Sequence, residues 1–263
     1  MFRRRIFFVA LTFFACCVFA EKLDIAGENL KDVAAKILHK RATSGDGDAI
    51  LKVALAYATG EMGFPKDKEL SLHWIKLGAE KGDAHAQNFL ASAYSYGDGL
   101  PIRYDLAFKW WGESAKRGLP DGLFNLGVCY ASGIGCLKDM KLAGETWLKA
   151  AEAGHVQSQY NVGAMFINGA GFIKSAEKGV YWLKQAAANG HVGAQAVLGG
   201  YFYNGVNVAK DKKIAAEYWK SAAENGNAFA AKNLAEMYRL GDGVDKSEAL
   251  FKKWKSIADK QTD

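Results

Sequence analysis

A glycine period of 36 residues constrains this chain more than any other feature. Gly82, Gly118, Gly154, Gly190 and Gly226 are each 36 residues apart, and so are Gly97, Gly133, Gly169, Gly205 and Gly241. Gly45 and Gly60 extend both series by one step of 37. Trp74, Trp110, Trp111, Trp147, Trp182, Trp219 and Trp254 keep the same beat. Self-similarity at a fixed period of about 20–50 residues marks a repeat architecture, in which each supersecondary unit buries its apolar face against the next.

With the first glycine of each repeat as position 0, position 8 is always aliphatic: Val53, Leu90, Leu126, Val162, Leu198, Leu234. Positions 4 and 9 are always small, and position 12 is always aromatic, from Tyr57 and Tyr94 to Phe202 and Tyr238. Positions 4, 8 and 12 share one helical face. This predicts a helix A over positions 2 to 14, with small residues letting a neighbour approach and the aromatic filling the gap. A second helix B starts at Asp67, Arg103, Asp139, Ser175, Asp211 and Ser247. Five of these six can accept hydrogen bonds from free backbone N–H groups of a helix start. The next glycine, able to adopt positive φ, stops helix B. The tryptophans are expected in the core.

The reading is all-α: six helix-turn-helix repeats at 45–81, 82–117, 118–153, 154–189, 190–225 and 226–261. Residues 21–44 precede them as a capping helix, with Leu30, Val33, Ala34, Ile37 and Leu38 on one side. Asp259 at a normally small position suits a terminal, solvent-facing repeat.

Half of the residues are hydrophobic and 24% are charged, an ordinary globular balance. The net charge of +6 owes half its value to Arg3, Arg4 and Arg5. These open a segment, 1–20, with a cationic start, an apolar run from Ile6 and the boundary Val18-Phe19-Ala20. That is the layout of a secretory signal peptide. Cleavage after Ala20 is expected to send the chain to the periplasm or outside the cell and leave a net charge of +3. The alternatives are an uncleaved anchor and a lipid-modified Cys16. No later apolar run is long enough to span a membrane. The absence of Asn-x-Ser/Thr favours a bacterial periplasm. Cys129 and Cys136 remain after cleavage. They read either as two thiols at small or apolar positions or as a disulfide stapling a turn.

Residues 154–171 read GHVQSQYNVGAMFINGAG, and 211–226 read DKKIAAEYWKSAAENG. This pattern resembles the Sel-one-like repeat, a subfamily of the tetratricopeptide-type helical repeats. The match covers 45–261. Met62 and Asn207 depart from it by replacing the second turn glycine, and Arg103 by replacing a cap. The resemblance implies a right-handed α-solenoid and an adaptor that binds a protein or peptide partner, with no cofactor. Many bacterial members of the resembled family are exported and act in envelope processes or host contact. The resemblance further implies that helix A positions 3, 6, 10, 13 and 14 line a concave groove. Here those positions include His85, Asn88, Tyr96, Phe124, Gln157, Tyr160, Ile167, Asn168, Tyr203, Asn204, Phe229, Lys232 and Arg239. The set is rich in rings and amides, which suit an extended peptide. The alternative for each is packing between adjacent A helices. A monomer is expected.

An enzyme is the competing class, because some cysteine-rich members of the resembled family are credited with β-lactam binding or hydrolysis. One Ser-x-x-Lys occurs, at Ser175–Lys178, but Ser175 also sits at a helix B cap. No Ser-Asp-Asn or Lys-Thr-Gly follows. The five histidines show no metal-ligand spacing. The glycines punctuate helices rather than cradle phosphate, and a charge of +3 gives no basis for nucleic-acid binding.

Overall fold

Five of the six A helices begin where a side chain supplies the acceptor that a helix start lacks. Asp46, Asp83 and Asn227 accept from the backbone N–H three residues on, and so do the ring nitrogens of His155 and His191. Leu119 offers no such acceptor, but Pro120 follows it at the first helical position, where its missing N–H costs nothing. The computed structural model describes residues 30–260. The signal segment and the expected start at Glu21 lie outside them.

The described residues hold thirteen helices and no strand. Helix α1 is Leu30–Thr43. The A helices are α2 (Gly47–Thr59), α4 (Ala84–Tyr96), α6 (Pro120–Ser132), α8 (Val156–Asn168), α10 (Val192–Asn204) and α12 (Ala228–Leu240). The B helices are α3 (Lys68–Glu80), α5 (Tyr104–Lys116), α7 (Met140–Glu152), α9 (Ala176–Ala188), α11 (Lys212–Glu224) and α13 (Glu248–Lys260). Every A helix occupies positions 2 to 14. The helices form two compact bodies, α1–α4 up to Ile102 and α5–α13 from Arg103.

The turn between A and B follows one plan. The glycine at position 15 is left-handed, and its N–H reaches back to the last turn of helix A, as Gly133 does to Cys129. The cap of helix B then donates its N–H to the carbonyl of the position-12 aromatic: Asp139 to Tyr130, Ser175 to Phe166 and Asp211 to Phe202, each at 2.8 Å. The cap side chains of Asp67, Asp139, Ser175, Asp211 and Ser247 accept from their own helices, while Arg103 does not. A methyl at Gly135, position 17, would collide with the Tyr104 carbonyl. Met62 and Asn207 occupy that position with φ of 58° and 61°, a conformation that strains a side-chain-bearing residue.

In the first body, Ile50, Val53, Ala54, Phe64 and Trp74 pack with Leu38 and Ala42 of α1. In the second, Trp147, Leu183 and Trp219 hold equivalent places, eight residues after their caps. The expectation that all tryptophans are core residues needs correction at two of them. Trp110 and Trp182 are only partly buried, whereas Trp111 and Leu183 beside them are 5% and 2% exposed. Successive helical residues point about 100° apart, so only one of each pair can face helix A.

Small residues let that helix come close. At Gly127 a methyl would lie 2.5 Å from the Trp147 ring, and at Gly199 it would overlap Trp219. Both indole N–H groups donate to helix A carbonyls, Trp147 to Phe124 (3.0 Å) and Trp219 to Ala196 (3.2 Å). Buried glutamines tie three of the six repeats to the helix before them: Gln87 to the Ala79 carbonyl, Gln159 to Ala151 and Gln195 to Ala187. Cys129 is buried and Cys136 is partly buried, and both are free thiols. The Cys129–Cys136 disulfide alternative is therefore not what the structure holds. Burial, with a smaller contribution from Cys136, pushes the Cys129 thiol up to about 12.

Candidate docking surface on the A helices

The residues expected to line a groove divide between the two bodies. His85 and Tyr96 are exposed in the first, with Asn88 half-buried. In the second, Gln157, Asn168, Asn204, Phe229, Lys232 and Arg239 are exposed, and Phe124, Tyr160, Ile167 and Tyr203 are half-buried. None is fully buried.

Three of these are taken up by packing. Phe124 stacks on the His155 ring at 4.6 Å, and Tyr160 stacks on His191 at 4.4 Å. Ile167 lies against α9, where a methyl at Gly179 would approach within 2.6 Å of it. The two histidines thus join a helix cap to a ring on the preceding A helix. His191 Nδ1 accepts the Ala194 N–H at 3.0 Å, and its Nε2 lies 3.1 Å from Gln157 Oε1. The His191 cap therefore uses the neutral ring with its proton on Nε2, and burial holds its pKa below the usual histidine value. His155 Nδ1 accepts the Ser158 N–H, and its Nε2 lies 3.6 Å from Asp121.

The pattern ends at repeat five. Position 6 there is Ala196 instead of a ring, and the next cap is Asn227 instead of histidine. Between α10 and α12 a notch of about 210 Å³ opens. Gly200, Tyr203, Asn204, Trp219, Phe229, Asn233, Glu236, Met237, Leu240 and Asp242 line it. Space above Gly200 is empty where a side chain would begin. Trp219 and Met237 are buried beneath, while Phe229 and Leu240 stand 63% and 59% exposed at the edges.

Two ion pairs flank the notch. Asp242 accepts from Lys212 and, at 2.7 Å, from the Tyr203 hydroxyl. The Lys212 bond, then the Tyr203 bond, holds the Asp242 carboxyl below the usual carboxylate range. The same Asp242 bond raises both the Tyr203 hydroxyl and Lys212. Glu236 accepts from Arg239 at 2.8 Å. One polar atom stands apart: Asn233 Nδ2 is buried with no hydrogen-bond partner among the described residues.

Sequence reasoning placed Tyr203, Asn204 and Phe229 on this face and missed Gly200 and Asn233. The available signal was Gly200 at position 10, where other repeats carry Leu55, Ser92, Val128, Ala164 and Glu236. Ser175, the serine of the Ser-x-x-Lys, accepts the backbone N–H of Lys178, and the Lys178 ammonium lies 5.6 Å from the Phe166 ring centre. No group of three or more metal-ligating side chains occurs among the described residues. None of their helices is long and apolar enough to cross a membrane.

The family model for the Sel1 repeat matches at 47–83, 84–119, 120–155, 156–191, 192–227 and 228–250. No curated protein matches the chain. Among solved structures, it is similar to a protective antigen of uropathogenic Escherichia coli strains that displays an SLR fold. Identity is 28% and TM-score 0.82, over 87% of this chain and 49% of that one. The chain thus spans about half the length of the antigen. It is also similar to a Sel1 repeat protein from Oxalobacter formigenes, with 25% identity and TM-score 0.70, over 86% of this chain and 96% of that one. These matches give the fold class as an all-α solenoid of six repeats with a helix before them. Proteins of this kind generally mediate protein–protein interaction, and the fold is typically a non-enzymatic scaffold.

Proposed function

Because the chain belongs to the Sel1 repeat family, we propose that it is a binding scaffold that holds a protein partner on its A-helix surface. The observation that carries this reading is the notch between α10 and α12, edged by the exposed Phe229 and Leu240. Exposed large apolar groups beside an unfilled recess favour a partner, because covering them removes apolar surface from water. The scaffold works in the bacterial envelope or outside the cell, as a monomer exported by residues 1–20. The signal layout supports export, and the likeness to a protective antigen accords with it.

Photo-crosslinking tests the surface. A benzoylphenylalanine at Phe229 is expected to capture a discrete partner in the native host, and the same group at Tyr181, exposed on α9, is not. Adducts of equal yield at both positions would sink the reading. Intact mass tests export: the mature chain should begin at Glu21, and a chain retaining Met1 would contradict it.

A further inference from the structure

We propose that the notch between α10 and α12 takes one bulky, uncharged apolar side chain of an extended partner segment, whose main-chain carbonyl accepts from Asn233 Nδ2. This deepens the scaffold reading and rests on it.

The volume sets the size of the occupant. A dry protein cavity of about 150 Å³ holds a benzene molecule. A notch of about 210 Å³ therefore admits a leucine, methionine or phenylalanine side chain. Trp219 and Met237 give it an apolar floor, and Phe229 and Leu240 can close over an inserted group.

Charge sets the polarity. Both carboxylates at the notch are already engaged, Glu236 by Arg239 and Asp242 by Lys212 and Tyr203. A charged side chain entering here would lose hydration and find no free counter-charge, which is costly. An apolar one loses nothing.

Asn233 sets the backbone. Its Nδ2 is buried with its hydrogen-bonding capacity unmet, and such a donor is costly until an acceptor arrives. Carbonyls within a helix are already paired, so only an extended segment brings a free carbonyl beside its side chain. Asn204, on the facing helix, is engaged with the Gly200 carbonyl and leaves that role to Asn233.

The test uses the full chain, labelled with nitrogen-15, and four probes: the N-acetyl, N-methylamide derivatives of leucine, phenylalanine, lysine and glutamate. Each carries one side chain and the two amides of an extended backbone. In millimolar titrations, the leucine and phenylalanine probes are expected to shift the Asn233 side-chain amide and the Trp219 indole signal. The lysine and glutamate probes are not. Gly200→Leu, which fills the notch from its own wall, should abolish the shifts. Asn233→Leu should keep the notch but weaken binding ~3–10-fold, the loss of one hydrogen bond. Equal shifts from charged and apolar probes, shifts confined to other sites, or none at all overturn the proposal. So does an Asn233 signal that moves when the protein alone is diluted, because the occupant is then a second copy. If the probes fail while the Phe229 crosslink persists, the scaffold reading stands and only the assigned occupant falls.

Discussion

Repeats three and four differ from repeats five and six in what their A helices do with their rings. Phe124 and Tyr160 lie flat on His155 and His191, so each ring is used by the next helix cap. In repeat five the ring is Ala196 and the following cap is Asn227. Nothing fills the space at Gly200, and Phe229 is left standing in solvent. The same repeat plan therefore yields a sealed surface or an open one, depending on two or three positions. Solenoid repeats contact chiefly their neighbours, which lets one junction change without disturbing the rest.

The largest effect separates a buried tryptophan from a half-buried one. Trp219→Ala removes a ring that is 4% exposed and bonded to Ala196, and should cost ~3–5 kcal/mol in urea unfolding. Trp182→Ala should cost less than about 2 kcal/mol, because Leu183 holds the core position. Equal losses would mean that the helix B register is wrong.

Next come the adjacent glycines. Gly199→Ala drives a methyl into Trp219 and should destabilise by ~1–3 kcal/mol. A neutral or stabilising result would show that Trp219 does not lie flush on α10.

A smaller effect distinguishes the histidine junctions from the asparagine one. Protonating His191 places a second proton on Nδ1, where the Ala194 N–H must be accepted. Its folded pKa lies below the ordinary 6.5 because of burial, so its contribution to stability is complete above about pH 6.5. That contribution is lost as pH falls through the lowered folded value. Tyr160 and Gln157 face the ring, and neither carries a charge that would oppose the loss. His191→Asn, which keeps a cap acceptor, should flatten the stability profile between pH 7 and 5. An unchanged slope would remove His191 from the account.

The smallest effect concerns the thiols. Native mature protein, without residues 1–20, should react with a thiol reagent at Cys136 alone, because Cys129 is buried and its thiol is pushed up to about 12. Unfolded, non-reduced mature protein should show two thiols, and none would mean that the disulfide forms.

The sequence made much of this legible. Glycines at fixed spacing marked the ends of both helices, and the acids and serines before helix B marked its starts, because these positions depend on backbone chemistry local to each residue. The A-helix caps His155 and His191 were not read as caps, since imidazole is a rare acceptor there. The misplacement of Trp182 has a geometric cause. Two adjacent large residues satisfy the same 36-residue beat, and only packing decides which one points inward. The notch was the least legible feature. It arises from what Gly200 and Ala196 lack, and from an unmet donor on Asn233, neither of which produces a pattern along the chain.

The central claim is that the surface of repeats five and six is open at Gly200, and the stability of Gly200→Leu tests it most directly. An open notch accepts the new side chain, and replacing a mid-helix glycine should itself stabilise by ~0.5–1 kcal/mol. The account predicts a variant at least that much more stable in urea unfolding, with an unchanged slope. A loss of 1 kcal/mol or more would mean that the space is already filled, and would contradict it.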